Sequence, residues 1–222
     1  MTLDEKAFRR KLNGLLRTIP GGGGRSVIPP RALKGKLYEI WVAIEIMDQL
    51  HKLEGYVPTM RRGTRLVLRN KGGGISMAYT SFKLTHPTET DLELWTDIEF
   101  VAMSHTQLGY NYPPAPAFYH ELDLVIVEAG TTGRPRHDEI VLAVECKNTS
   151  TFEKRMAREA LGLRRELSLL VAASTRFQQW PYHDVHAEPA SALLVYADDP
   201  AVTNFNGPGL LYGIHFAHLA AP

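Results

Sequence analysis

The sequence predicts an α/β protein built on a mixed β-sheet flanked by helices, and three observations point to it. A stretch at residues 36–53 repeats its apolar residues with the period of a helix. From residue 57 to residue 147 the period changes to two, the signature of strands. A second helical stretch then follows residue 147 and leads into another strand, an order that allows a parallel pair through a crossover.

At 222 residues, with 44% hydrophobic and 22% charged residues, the chain is long enough to bury one substantial core. No apolar run approaches the length needed to span a bilayer, and the start MTLDEKAFRRKLNG lacks the apolar centre of a secretory signal. The expectation is a cytoplasmic protein with no membrane partner. A single cysteine, Cys146, excludes an internal disulfide and any zinc site that needs several thiolates.

Residues 1–35 read as a basic N-terminal helix followed by a Gly/Pro linker, and residues 36–222 as the main domain. Apolar Phe8, Leu12, Leu15, Leu16 and Ile19 recur at helical spacing until Pro20. Gly21 to Gly24, followed by Pro29 and Pro30, form the linker. Residues 1–36 hold nine Lys or Arg against Asp4 and Glu5, a net +7, which leaves −6 for the other 186 residues. A basic arm on an acidic body is compatible with a polyanionic partner. Its apolar face suits a homodimer, a larger assembly or a regulatory partner protein, and this interface reading is narrowly the favoured one.

On the 36–53 helix, Glu39 lies on the stripe of Val42, Ala43, Ile46, Leu50 and Leu53, whereas Glu45 and Asp48 fall on another side. Residues 65–69 and 75–85, around Asn70 to Gly74, read as an inserted β-hairpin. Residues 91–103 read as a strand in which Asp91, Glu93, Asp97 and Glu99 share one face, taken as a solvated one. Residues 111–117 form a loop, and strands follow at 121–128 and 139–147. Ser150 and Glu153 have capping-box spacing, so a helix is expected to start after Lys147 and to run to about residue 173. Residues 190–196 and 210–216 are the last strand candidates.

Strand alternation in Glu139-Ile-Val-Leu-Ala-Val-Glu-Cys-Lys147 puts Glu145 and Lys147 on one face and Cys146 on the other. A carboxylate and an ammonium at the end of an apolar strand are costly unless paired or bound to a metal. Asp123 has a similar apolar setting on the preceding strand, and hairpin pairing would bring it beside Glu145. Two such carboxylates repel unless a proton or cation separates them, which makes a hard divalent ion a natural partner.

Asp123 followed by Glu145-Cys146-Lys147 at the end of the next strand, then a helix, resembles the PD-(D/E)xK superfamily of restriction-type nucleases. Glu39 resembles the active-site glutamate that many members carry on the helix before the sheet. Tyr38-Glu39-Ile40-Trp41 is similar to the start of that helix in nuclease subunits of modification-dependent restriction systems. Leu122 replaces the proline of the signature. The resemblance covers residues 36–196 and leaves out the first 35 and the hairpin.

It implies a restriction-endonuclease-like core and a nuclease dependent on Mg²⁺ or Mn²⁺. Asp123 and Glu145 would ligate the ion, with the Cys146 backbone carbonyl and Glu39 as further ligands, and Lys147 would act on the attacking water. DNA is the favoured substrate, in restriction or phage defence. The alternatives are RNA cleavage and an inactive nuclease-like subunit that binds nucleic acid or a partner.

Among other residues, Glu121 shares a face with Asp123, and His120 adjoins it at a strand start. The pairs His183/His186 and His215/His218 have metal-ligand spacing only if helical. Arg61, Arg62, Arg65, Arg69 and Lys71 surround the hairpin, and Lys154, Arg158 and Arg165 share a helix face; either group could meet phosphates.

Overall fold

The computed structural model describes residues 5–20, 34–61, 66–69, 71–109, 113–170 and 187–221. The expected glycine linker, Arg62, Arg65, His183 and His186 lie outside them. Two helices come first, α1 (Glu5–Thr18) and α2 (Lys34–Gln49), the second prolonged by a π turn over Leu50–Glu54. Gly55 ends that turn in the left-handed region at φ 83°, where a side chain would be strained.

Strands β1 (Val57–Arg61), β2 (Ser81–Thr85) and β3 (Leu92–Val101) follow, then the short α3 (Met103–Gln107) and strands β4 (Tyr119–Glu128) and β5 (Ile140–Lys147). The chain continues through α4 (Lys154–Leu167), the short pair β6 (Leu169–Leu170) and β7 (Ala187–Glu188), β8 (Ala192–Ala197), α5 (Asn206–Leu211) and β9 (Ile214–His218).

The main sheet runs β1-β2-β3-β4-β5-β8-β9. Its first five strands pair antiparallel, and β5-β8 and β8-β9 pair parallel, as the strand-helix-strand order after Lys147 requires. Both faces are covered. On one, Leu92, Leu94, Leu124, Ile126, Leu142 and Val144 pack against α1 and α2. On the other, Trp95, Ile98, Val125, Ala143 and Val195 pack with Ala157, Ala160 and Leu167 of α4.

Four local expectations are corrected. Among the described residues the hairpin expected at 65–85 is not a strand pair: β2 pairs instead with β1, and across the intended turn Val67 meets Thr80 while the Arg69 side chain meets Gly74 and Tyr79. The run 57–61 has partners for its backbone on β2, while Gly73 and Ile75 bridge to Ile98 and Gly133 in other segments. The capping box is absent: Glu153 is itself the N-cap, and the Thr149 and Phe152 amides ahead of it donate to Asp198 and Asp199. Helix α4 therefore starts at Lys154, and it stops at Leu167, where the chain becomes extended. The strand expected at 210–216 begins only at Ile214, because residues 206–211 are helical.

The apolar face of α1 is used inside the chain. Phe8, Leu12 and Leu16 are buried, and the Phe8 ring meets Trp41 of α2 edge-on at 6.3 Å. They offer no surface to a second copy. Phe8→Ala should accordingly cost about 3–5 kcal/mol in stability. Urea unfolding measures it, and a loss below about 1 kcal/mol would mean that α1 does not hold this position.

Candidate functional site

The site forms where β3 and β4 both change phase. Leu92 and Leu94 face α2, and Trp95 faces the α4 side, but Ile98 and Phe100 also face the α4 side. Alternation slips by one residue between 95 and 98. The cause is visible at Asp97, whose φ of 52° lies in the left-handed region, unusual for a non-glycine residue inside a strand. On β4 the same slip separates Leu124 and Ile126 from Leu122.

Register then aligns three acids. Thr96 pairs with Leu124 and Ile98 with Leu122, which sets Asp97 opposite Asp123. Leu124 pairs with Val144, and continuing that register sets Asp123 opposite Glu145. The Cys146 amide donates to Asp123 Oδ2 at 2.7 Å and fixes that carboxylate against β5.

Glu39 reaches the row from α2. Carboxylate oxygens of Glu39, Asp97 and Asp123 lie within 4.8 Å of one another. The rotation of α2 that permits this is held from the far end of the chain: Tyr38 donates to the Leu219 carbonyl at 3.0 Å, and the Trp41 indole donates to the Ala220 carbonyl at 3.2 Å. Glu45 instead accepts from Gln49 on its own helix. Wheel geometry thus separated the two glutamates correctly.

Two lysines compensate part of the charge. Lys36 donates to both Glu39 oxygens, at 2.9 and 3.1 Å, and also to Asp97. Lys147 donates to Glu145 at 2.7 Å. Asp123 stands between these two groups and receives no lysine hydrogen bond of its own among the described residues.

Four carboxylates against two ammonium groups leave a deficit of two positive charges, and the acids respond. Burial first, then Asp97 and Asp123, push the Glu39 pKa up to about 8, with Lys36 opposing. Burial and Asp123 raise Glu145 likewise, against the pull of Lys147. Burial raises Asp123 despite the Cys146 amide and both lysines. For Lys147, burial works against the ammonium, but Glu145 and Asp123 more than offset it and hold its pKa above the usual lysine value.

Asp97 and Lys36 are the residues that sequence reading missed. Two of the four acids assigned to solvent are buried, Asp97 at 1% and Glu93 at 2% exposed, while the partly exposed Asp91 and Glu99 pair with Lys83 and Arg134. β3 lies third in a sheet covered on both sides, where an acid needs a partner. Glu93 finds Arg61 and the Trp95 indole. The available signals were an acid amid Leu94, Trp95, Ile98 and Phe100, and a lysine three residues before Glu39.

Other candidates take ordinary places. Glu121 is exposed at the rim, and its pKa is raised by burial and by Asp97. His120 packs on Phe100, with ring centroids 5.9 Å apart. His215 and His218 sit on β9, where i, i+3 spacing places them on opposite faces. Arg69 is buried, donating to the Gly74 carbonyl and stacking on Tyr79, so it is not available to phosphate. Lys71, Lys154, Arg158 and Arg165 are exposed.

In comparison with known proteins, no family model, no curated protein and no solved structure matches this chain. Among the described residues, no helix is long and apolar enough to cross a membrane.

Proposed function

We propose that the protein is a nuclease dependent on Mg²⁺ or Mn²⁺, acting on phosphodiester bonds of nucleic acid with DNA as the favoured substrate. One observation carries this reading: Asp123 is flanked in register by Glu145, with Lys147 paired to Glu145 and Glu39 approaching from α2. The donor set suits a hard divalent cation, being all oxygen, clustered and short of positive charge. Asp123 and Glu145 would hold the ion, with Glu39 and the Cys146 carbonyl beside them. When bound, such an ion lowers the pKa of a coordinated water and neutralises charge that builds on the phosphate.

The chain's own groups supply the rest. Lys147, held as an ammonium by its carboxylate neighbours, suits orienting a water and stabilising negative charge better than removing a proton. The Cys146 amide fixes Asp123 and so keeps its carboxylate from rotating away. The exposed Lys154, Arg158 and Arg165 of α4 are available to phosphates outside the reacting centre.

A second reading rests on the ion pairs of Lys36 and Lys147, which would let the acids serve only structure in an inactive nuclease-like subunit. Incubation of the full chain with plasmid, linear and single-stranded DNA and with RNA, with Mg²⁺, Mn²⁺ or chelator, separates the two. Cleavage of any substrate that chelator abolishes supports the nuclease, and no cleavage of any of them supports the inactive subunit. Within that assay Glu39→Gln should slow cleavage by about 10-fold or more while Glu45→Gln leaves it unchanged. Equal rates in both variants would remove Glu39 from the site.

A further inference from the structure

We propose that Asp97, with Glu39 and Asp123, forms a divalent-cation site whose place is held by the Lys36 ammonium until a metal ion displaces it. This rests on the nuclease reading in sharing Glu39 and Asp123 with it, and extends it by a ligand, Asp97, and an internal counter-ion. It concerns binding, and it stands whether or not hydrolysis follows.

Three carboxylates close together do not by themselves make a metal site. Asp97 adds an independent observation. It is 1% exposed, and its Oδ2 is buried without a hydrogen-bond partner. An unpaired carboxylate oxygen in a sheet interior carries a large desolvation cost, and a cation among the three acids would remove it. Its oxygen lies within 4.8 Å of both Glu39 and Asp123, a spread that ligands of one hard cation can close by small side-chain rotations.

Lys36 marks where positive charge is wanted. Its Nζ contacts Glu39 and Asp97 together but makes no hydrogen bond to Asp123. One ammonium against three carboxylates leaves the cluster negative, and an ammonium offers three donors where a divalent ion accepts six or more oxygens. An ion entering beside Asp123 would take the oxygens that Lys36 now occupies. Lys36 is the third residue of α2, in its first turn, and its long, partly exposed side chain can swing toward solvent.

The arrangement also separates two roles along the row. Glu145 has its own lysine, Lys147, whereas Asp97 and Glu39 share Lys36, and Asp123 is common to both groups. The displaceable cation therefore lies on the Asp97 side, away from the ammonium that the nuclease reading needs in place.

The test is direct titration of Mn²⁺ into the chelator-treated full chain, with free Mn²⁺ counted by electron paramagnetic resonance. Wild type is expected to bind, Asp97→Asn to weaken the Kd by about tenfold or more through loss of a charged ligand, and Lys36→Met to tighten it. Circular dichroism checks that each variant is folded. An unchanged Kd in Asp97→Asn would overturn the ligand role. A Kd unchanged or weakened in Lys36→Met would overturn the displacement, and this variant decides the matter if Asp97→Asn does not fold. No Mn²⁺ binding to wild type overturns the site altogether. Binding with these shifts but no cleavage leaves the site standing and removes the nuclease reading, whereas cleavage with an unchanged Kd in Asp97→Asn removes only the present proposal.

Discussion

Glu145→Gln and Lys147→Ala are each expected to remove nearly all divalent-ion-dependent cleavage of nucleic acid, a fall of about 10²–10⁴-fold, while the protein stays folded. Glu145 is 8% exposed and its ion pair with Lys147 closes the C-terminal end of β5 beside Asp123. Glutamine keeps the shape of Glu145 but not its charge, and a neutral amide oxygen holds a hard cation much more weakly than a carboxylate. Alanine at 147 removes the ammonium that would meet charge building on the phosphate. Both side chains sit at the end of the strand, outside the leucine and valine packing of β5, so the core should survive. Initial cleavage rates at saturating Mn²⁺, with unfolding curves for each variant, decide the matter. Wild-type rates in both folded variants would overturn the assignment of this strand end to catalysis.

The second large effect concerns pH in the absence of metal. Glu39 ionises near 4.5 in an unfolded chain but near 8 in the folded one, because burial and its acidic neighbours penalise its charge. Glu145 and Asp123 are shifted in the same direction. Between those values the native state holds more protons than the unfolded state, so stability must fall as pH rises. The slope is up to about 1.4 kcal/mol per pH unit for each shifted group. Lys36 and Lys147 do not enter this window, since their shifts lie on the alkaline side of 10.5.

Chelator-treated protein should therefore lose stability steadily from pH 5 to pH 8 in urea unfolding. Millimolar Mn²⁺ should flatten the decline by neutralising the same acids, and Glu39→Gln should recover part of the loss at pH 8. Stability that is constant or rises across this range without metal would contradict the electrostatics described for the cluster.

The sequence by itself determined the layered α/β plan and the row from Asp123 to Lys147. Local rules sufficed there: helical spacing set Glu39 apart from Glu45, alternation put Glu145 and Lys147 on one strand face, and the strand-helix-strand order after Lys147 required a parallel pair. Tertiary structure alone decided what stands opposite Asp123 on its other side, from β3. Period-two counting assigned Asp97 to a solvated face because that counting assumes an unbroken strand. The left-handed turn at Asp97 shifts the alternation by one residue, and the cover on both sides of β3 turns an acid expected in water into a buried one facing Asp123.

The same distinction explains α1, the capping box and the hairpin. An amphipathic helix states that one face must be buried but not against what, and α2 of the same chain supplies the cover for Phe8, Leu12 and Leu16. The stretch around Ser150 is tied down by aspartates nearly fifty residues away, which accept from the Thr149 and Phe152 amides, and β2 chose β1 over its nearer neighbour. In each case the backbone groups that need partners are local, whereas the partners that satisfy them are brought by the sheet.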